Sequence, residues 1–367
     1  MRVLICGGGV IGASIAYFLS CRGIEATIIE RTGLACAASG KAGGFLALDW
    51  CDGTALEGLA RRSFMLHARL ARELGGDWDY RRLTTYGGSV GPGGGRAGAC
   101  RTRWLSANVS LDRRLGSTET TAQVHPAKFT AAMMLAAQTR GAELRVGQVT
   151  GVVLRGNGAG AQGVEVDGQT IEGDAVVIAM GPWSVLAAEW LPLPAVYGLK
   201  GHSLVFEAGI QTAQALFLEC HEPGGVQAPE IFARPDGTIY ACGISGHSPL
   251  PIDPGEVSPD PDAIRRLEEM CSGFSPVLAS AKVAARQACY RPITRDGLPL
   301  IGRVPGVARA YIATGHSVWG ILNAPATGEA MAELITEGAA QAVDLSAFEP
   351  GRFPAVAPAG RRTHTRY

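Results

Sequence analysis

Charge is scarce in this sequence. Asp, Glu, Lys and Arg make up 18% of its 367 residues, and 33 acidic side chains cancel 33 basic ones. Without a basic excess it lacks the cationic surface that neutralises phosphates, which argues against a general nucleic-acid binder. Only four of the 33 basic residues are lysine, a bias that reads as genome composition. Aromatics are sparse at 7%, yet 47% of the chain is hydrophobic, too much for a disordered protein. The nine cysteines include no C-x-x-C, and no histidine pair stands at metal spacing, so no metal site is expected. Cys6, Cys21, Cys36 and Cys51 recur at even intervals but in dissimilar contexts. An odd cysteine count suits a reducing, cytoplasmic setting with thiols packed as small apolar groups. Walker loop and carboxylate cluster are both missing. The uncharged run from Val3 to Cys21 is interrupted by Gly7, Gly8 and Gly9, a poor composition for an inserting helix.

Glycine is what the chain has in excess: 50 Gly and 21 Pro, with no G-X-Y period, which excludes collagen. The length fits two domains, each with its own core. A strand at Arg2–Cys6, a glycine turn, a helix from Ile11 and a strand at Ala26–Glu30 make a βαβ opening. Helices are predicted over Gly53–Leu74, Lys128–Thr139, Asp262–Cys271 and from Ala326 to Glu337. The glycine-rich stretch Gly87–Gly98 reads as an exposed loop. Short strands at Leu204–Phe206, Glu230–Phe232 and Ile239–Cys242 give the middle an antiparallel character. The tail from Glu349, rich in Pro, Arg and Gly, reads as frayed.

Gly7-Gly8-Gly9-Val10-Ile11-Gly12 fits G-x-G-x-x-G directly after an apolar strand. The first glycine permits the tight turn, the second lets backbone approach a pyrophosphate, and the third allows close helix packing. The helix N-terminus presents free N–H groups to phosphate. Glu30 ends the second strand, where a carboxylate accepts hydrogen bonds from ribose hydroxyls. FAD and NAD share this fingerprint, so later segments must discriminate. These are Cys36–Gly44, Asp174–Trp183, the run Arg291-Pro-Ile-Thr-Arg-Asp-Gly and the run Thr314–Gly328.

With these motifs in this order, the sequence resembles the FAD-dependent D-amino-acid oxidase, glycine oxidase and sarcosine oxidase family from about Arg2 to Leu334. The run Cys36–Cys51 is most similar to a plant and fungal branch of FAD-dependent oxidoreductases. The resemblance implies an α/β fold: a Rossmann-like FAD-binding domain of the glutathione-reductase type, interleaved with a mixed, largely antiparallel substrate domain. It implies residues 1–48, 120–194 and 284–345 for the first, 49–119 and 195–283 for the second, and a tail of 346–367. It places FAD against Gly7, Gly9, Val10, Ile11, Gly12, Glu30, Arg31, Ala37, Ala38, Ser39, Ala42, Gly43 and Gly44. Val149 would meet adenine, Gly181 and Trp183 lie in the middle motif, and His316, Ser317, Val318, Trp319, Gly320, Ile321 and Leu322 pass beneath the flavin pyrimidine. There, backbone N–H groups support negative charge on the reduced ring.

The resemblance also implies oxidation of a small amine or amino acid. Hydride would leave Cα for flavin N5, the imine would hydrolyse, and oxygen or another acceptor would reoxidise FAD. Arg291 would grip the substrate carboxylate with its planar fork, or alternatively serve as a structural residue paired with Asp296 or a carbonyl. His316 would act as a base or through its backbone alone. Where relatives carry a tyrosine, this sequence has Glu230, which either faces the pocket or sits one register off in solvent. The lysine that sarcosine oxidases use for oxygen falls near Ala241, with no lysine nearby. Cys289 aligns with the cysteine that sarcosine oxidases join to flavin, while glycine oxidases hold FAD without that thioether. Trp50 and Asp49 could reach the cavity. Two other functions stay open: a 2-hydroxy-acid dehydrogenase using His316 or His247 as base, and a flavin-holding interaction protein.

Overall fold

The computed structural model describes residues 1–91, 102–156, 160–222 and 225–356. The strand Arg2–Cys6 is buried from Val3 onward, as expected for a strand covered on both faces. The helix Val10–Ser20 and the strand Glu25–Glu30 follow it. They seed a six-stranded sheet in the order Leu300–Arg303, Ala310–Thr314, Ala175–Ile178, Arg2–Cys6, Glu25–Glu30, Glu143–Val146. All pairs are parallel except the edge pair Leu300–Arg303 with Ala310–Thr314.

The two-residue period of the strand distributes its side chains between two cores. Val3 and Ile5 pack with the helices Val10–Ser20, Glu57–Glu73, Pro126–Gln138 and Gly320–Thr336. Leu4 and Cys6 pack on the other face against Ala161, Val164 and Ile171 of a three-stranded antiparallel sheet spanning Val149–Leu154, Ala161–Val166 and Gln169–Glu172. Burying one such aliphatic side chain contributes about 1.5–3 kcal/mol.

A second, mixed sheet runs Lys282–Ile293, Tyr197–Glu207, Thr238–Gly246, Glu230–Ala233, Gln214–Glu222, Thr84–Val90, Val109–Gly116, with Gly225–Gln227 pairing alongside Gln214–Glu222. On one side Leu204, Leu216 and Ile231 pack against Leu267 and Phe274 of the helix Pro261–Phe274. Elsewhere in the sheet, Phe232, Tyr240 and Cys242 cluster with Phe45 and Phe217. Gly43 meets this cluster so closely that a Cβ there would lie 2.3 Å from the Phe232 ring.

Three expectations change. Gly87 and Gly88 belong to the strand Thr84–Val90 and not to a loop, because a Cβ at Gly88 would sit 2.1 Å from the Ser110 carbonyl. Glycine here permits a close strand approach; residues 92–98 of that expected loop lie outside the described residues. The last long helix starts at Gly320, not Ala326. Pro325 lies inside this helix, where neighbouring side chains replace the bonds it breaks. Finally, the segment from Glu349 to Phe353 is docked: Arg352 pairs with Asp296 at 2.8 Å, and Phe348 and Pro350 beside it are buried. Residues 357–367 of the expected frayed tail lie outside the described residues.

Candidate active site

A cavity of about 480 Å³ extends from the first glycine turn to the mixed sheet. Its glycines divide by what surrounds them. Gly7 has φ +115°, and a Cβ there would meet the Ala179 carbonyl at 2.4 Å. A Cβ at Gly12 would meet the Gly7 carbonyl oxygen at 2.1 Å, whereas at Gly9 the nearest atom is Ser39 Oγ, 3.1 Å away. Gly9 lines the cavity and Gly12 does not; Gly12 is a packing residue.

Glu30 is buried, and its two oxygens accept from the Gly8 amide at 2.7 Å and the Thr32 amide at 2.8 Å. Oε1 also accepts from the Gly33 amide at 3.3 Å, so it is Oε2, with the Gly8 amide as its one donor among the described residues, that keeps a lone pair for a ribose hydroxyl. Ser39 Oγ accepts from the Val10 amide at 2.9 Å. The Ile11 and Gly12 amides fall in the first helical turn, where no carbonyl of that helix can reach them. Arg31, Ala37, Ala38, Ala42, Gly43, Val149, Gly181, Trp183, Ser317, Val318, Gly320 and Ile321 line the same cavity. Gly44, Trp319 and Leu322 stand behind it. A Cβ at Gly44 would strike the Val124 carbonyl oxygen at 2.0 Å, Trp319 packs edge-on to Trp50, and Leu322 is buried. Trp50 does not reach the cavity; it packs against Phe45 and Phe217 at ring separations of 4.9 Å.

Two features were missed in the sequence. One is a strap over the cavity, where Ile252 and Pro254 line the wall. Tyr290 Oη donates to the Pro249 carbonyl at 2.6 Å, Trp183 Nε1 to the Pro251 carbonyl at 2.7 Å, and Arg31 Nη1 to the Ile252 carbonyl at 3.1 Å. Pro249, Pro251 and Pro254 crowd this segment, a stiffness signal that could have marked it. The other is the seat of the last helix. Pro325 offers no N–H to the Ile321 carbonyl, and the Ala326 amide donates instead to Ser63 Oγ at 3.0 Å. The two freed carbonyls, of Ile321 and Leu322, accept from His67 Nε2 at 3.0 and 3.1 Å. That geometry requires the proton on Nε2. Burial drops the His67 pKa to about 4, so the ring is neutral.

At the other end of the cavity stand Arg291 and Glu230. Arg291 does not pair with Asp296, whose partner is Arg352. Its guanidinium lies beside Gly201, where a Cβ would be 3.4 Å from Nη2, and its Nη1 donates to Ser245 Oγ at 3.1 Å. Glu230 stands opposite Cys242 in the sheet and accepts from that thiol at 3.7 Å. Burial pushes the Glu230 carboxyl up, while the Arg291 charge and the Cys242 hydrogen bond oppose the rise. The Cys289 thiol also lines the cavity, and burial holds it protonated. His316 is buried, with Nε2 3.0 Å from Thr327 Oγ1, and burial lowers its pKa to about 3. Such a ring is a poor base, so we assign its contribution to the backbone. His247 is exposed.

A nucleotide cradle that opens onto a charged face of a second sheet defines a dinucleotide-dependent oxidoreductase. The family model described as FAD dependent oxidoreductase matches residues 2–334, and the chain belongs to that family. Its cofactor is FAD, and the open space at Gly9, the acceptor at Glu30 and the free helix N-terminus fit an adenosine diphosphate moiety. The chain is similar to a glycine oxidase of Bacillus licheniformis, 31% identical over 96% of this chain and 98% of that protein. It is also similar to a Schizosaccharomyces pombe protein whose name includes the word oxidoreductase, 29% identical over 95% of this chain and 97% of that one. The solved glycine oxidase of Geobacillus kaustophilus superposes with a TM-score of 0.80 at 25% identity, covering 96% and 99% of the two chains. Among the described residues no helix is long and apolar enough to cross a membrane, and no cluster of His, Cys, Asp or Glu could hold a metal ion.

Proposed function

We propose that this oxidoreductase oxidises a small amine or amino acid that carries a carboxylate, in the cavity between the two sheets. The observation that carries the reading is Arg291: a guanidinium in the cofactor cavity, steadied by Ser245, with no ion-pair partner among the described residues. A planar fork in this position takes a carboxylate through two parallel hydrogen bonds and fixes the carbon beside it. FAD, when bound, supplies the hydride-accepting ring. The protein's own part is orientation at Arg291 and electrostatic support from the backbone of residues 316–322. The names of similar proteins, glycine oxidases among them, agree with this substrate class. The segments 1–48, 120–194 and 284–345 would hold the cofactor, and 49–119 with 195–283 the substrate.

A 2-hydroxy-acid reading needs a base for the hydroxyl proton. His316 is tied to Thr327 and neutral, and His247 is exposed, so neither residue favours it. The deciding experiment is a panel of amino acids, amines and 2-hydroxy acids added to FAD-loaded protein under argon. Bleaching of the flavin by an amino acid or amine is expected; bleaching by hydroxy acids alone would overturn the reading. Release of all flavin on acid precipitation is also expected, since a protonated Cys289 is a poor partner for a thioether.

A further inference from the structure

We propose that Glu230 is a second recognition group, so that the cavity is a two-charge receptor for a zwitterion. Arg291 with Ser245 takes the carboxylate, and Glu230 takes the cationic nitrogen. The inference rests on the amine or amino-acid reading above. It deepens that reading by assigning a cation site that Arg291 alone would not create.

Three observations carry it. First, both charges are brought over one strand of the mixed sheet. Ser245, opposite Gly201, receives the Arg291 guanidinium, and Cys242 on the same strand meets Glu230. Gly201 has no side chain to obstruct the guanidinium lying beside it. Second, the Glu230 carboxylate is poorly satisfied. A thiol at 3.7 Å is its one side-chain hydrogen-bond partner among the described residues, and a thiol is a weak donor. An incoming ammonium supplies the strong, charge-assisted donors that the site lacks. Third, the groups around it leave that place to the ligand. Cys242, Tyr240 and Cys289 are held in their neutral, protonated forms by burial; burial pushes the Glu230 carboxyl up as well, and the Arg291 charge opposes that rise, as the ammonium of a ligand would. A ligand bearing a carboxylate alone gains at Arg291 and is repelled at Glu230; one bearing both charges gains twice.

The test uses three ligands of one skeleton, none of which can be oxidised at Cα: 2-aminoisobutyrate and 2-hydroxyisobutyrate have no Cα–H, and isobutyrate carries no amine or hydroxyl on that carbon. FAD-loaded protein is titrated with each, and binding is read from the perturbed flavin spectrum. Wild type should prefer 2-aminoisobutyrate. Glu230→Gln, which keeps the shape and removes the charge, should lose about 10- to 100-fold of that preference while isobutyrate binds more tightly. Glu230→Asp, which keeps the charge, should retain the preference in weakened form and guards against a misfolded Gln variant. No preference in wild type, or a preference unchanged in Glu230→Gln, overturns the proposal even where an amino acid bleaches the flavin. A Glu230-dependent preference in a protein that no amino acid reduces upholds the receptor and sinks the redox reading instead.

Discussion

Gly9 and Gly12 sit three residues apart in one motif and do opposite things. Gly12 is closed in by protein, with the Gly7 carbonyl oxygen 2.1 Å from where a Cβ would be. Gly9 has φ −79°, which any residue adopts, and meets only a hydroxyl at 3.1 Å. The first is glycine for the sake of the fold, the second for the sake of the ligand. The same division separates the cofactor end of the cavity from its substrate end. The glycine cradle of the cofactor end is built from residues close in sequence, Gly7 to Ile11 with Glu30 and Ser39. At the substrate end, Arg291, Gly201, Ser245 and Glu230 come from four strands and meet only through sheet register.

The sharpest way to break the comparison is Gly12→Ala. A methyl driven into backbone oxygen should cost ~3 kcal/mol or more, seen as insoluble protein or a collapse of the thermal midpoint. A soluble, yellow Gly12→Ala protein would show that the turn yields. Gly9→Val should instead leave the apo-protein as stable as wild-type apo-protein while abolishing its yellow colour, because the added side chain occupies the pyrophosphate approach. Retention of a full flavin complement would mean that phosphate lies elsewhere.

At the substrate end the effects should fall on turnover and spare the flavin. Arg291→Ala should lower kcat/KM by ~10²–10³, the cost of leaving a buried carboxylate unpaired, with Arg291→Lys intermediate. The loss should be large for an amino acid and small for its decarboxylated amine. Equal losses for both, or shedding of FAD, would make Arg291 structural.

The smallest effect belongs to the docked tail. Burial would raise the Asp296 pKa, yet the Arg352 hydrogen bond, the Leu298 amide and the Thr294 hydroxyl hold it at about 2. A depressed carboxyl stabilises the folded state above its unfolded value near 3.8, and the gain is lost as pH falls through 2. Arg352→Ala should therefore cost about 1 kcal/mol or less at pH 6, and the gap from wild type should shrink by pH 2.5, as read from urea midpoints. A gap that grows with acid would assign the stabilisation to another pair.

The contrast between local and register-built sites also explains what could be read in the sequence. The βαβ opening, the acid at Glu30 and the lining at Ala37–Gly43 were legible because turn, helix start and strand end leave their marks within 30 residues of each other. Arg291 and Glu230 were found through resemblance, but which way Glu230 pointed depended on its pairing with Cys242, which no local pattern encodes. Glycine misled where strands approach closely, as at Gly88. The early start of the last helix at Gly320 was not legible, because side chains from another helix, Ser63 and His67, complete the bonds that Pro325 breaks. Those partners lie some 260 positions upstream of the carbonyls and amide they serve.

The His67 seat has a bearing on how the enzyme's acidity profile should be interpreted. A pKa near 4 leaves the ring uncharged across the working range, and His316, four residues before the helix Gly320–Thr336 that His67 supports, is uncharged as well. Both rings beside the segment 316–322 thus keep one electrical character from mildly acidic to alkaline solution. Neither imidazole can therefore account for a bend in a plot of flavin midpoint potential against pH within that range.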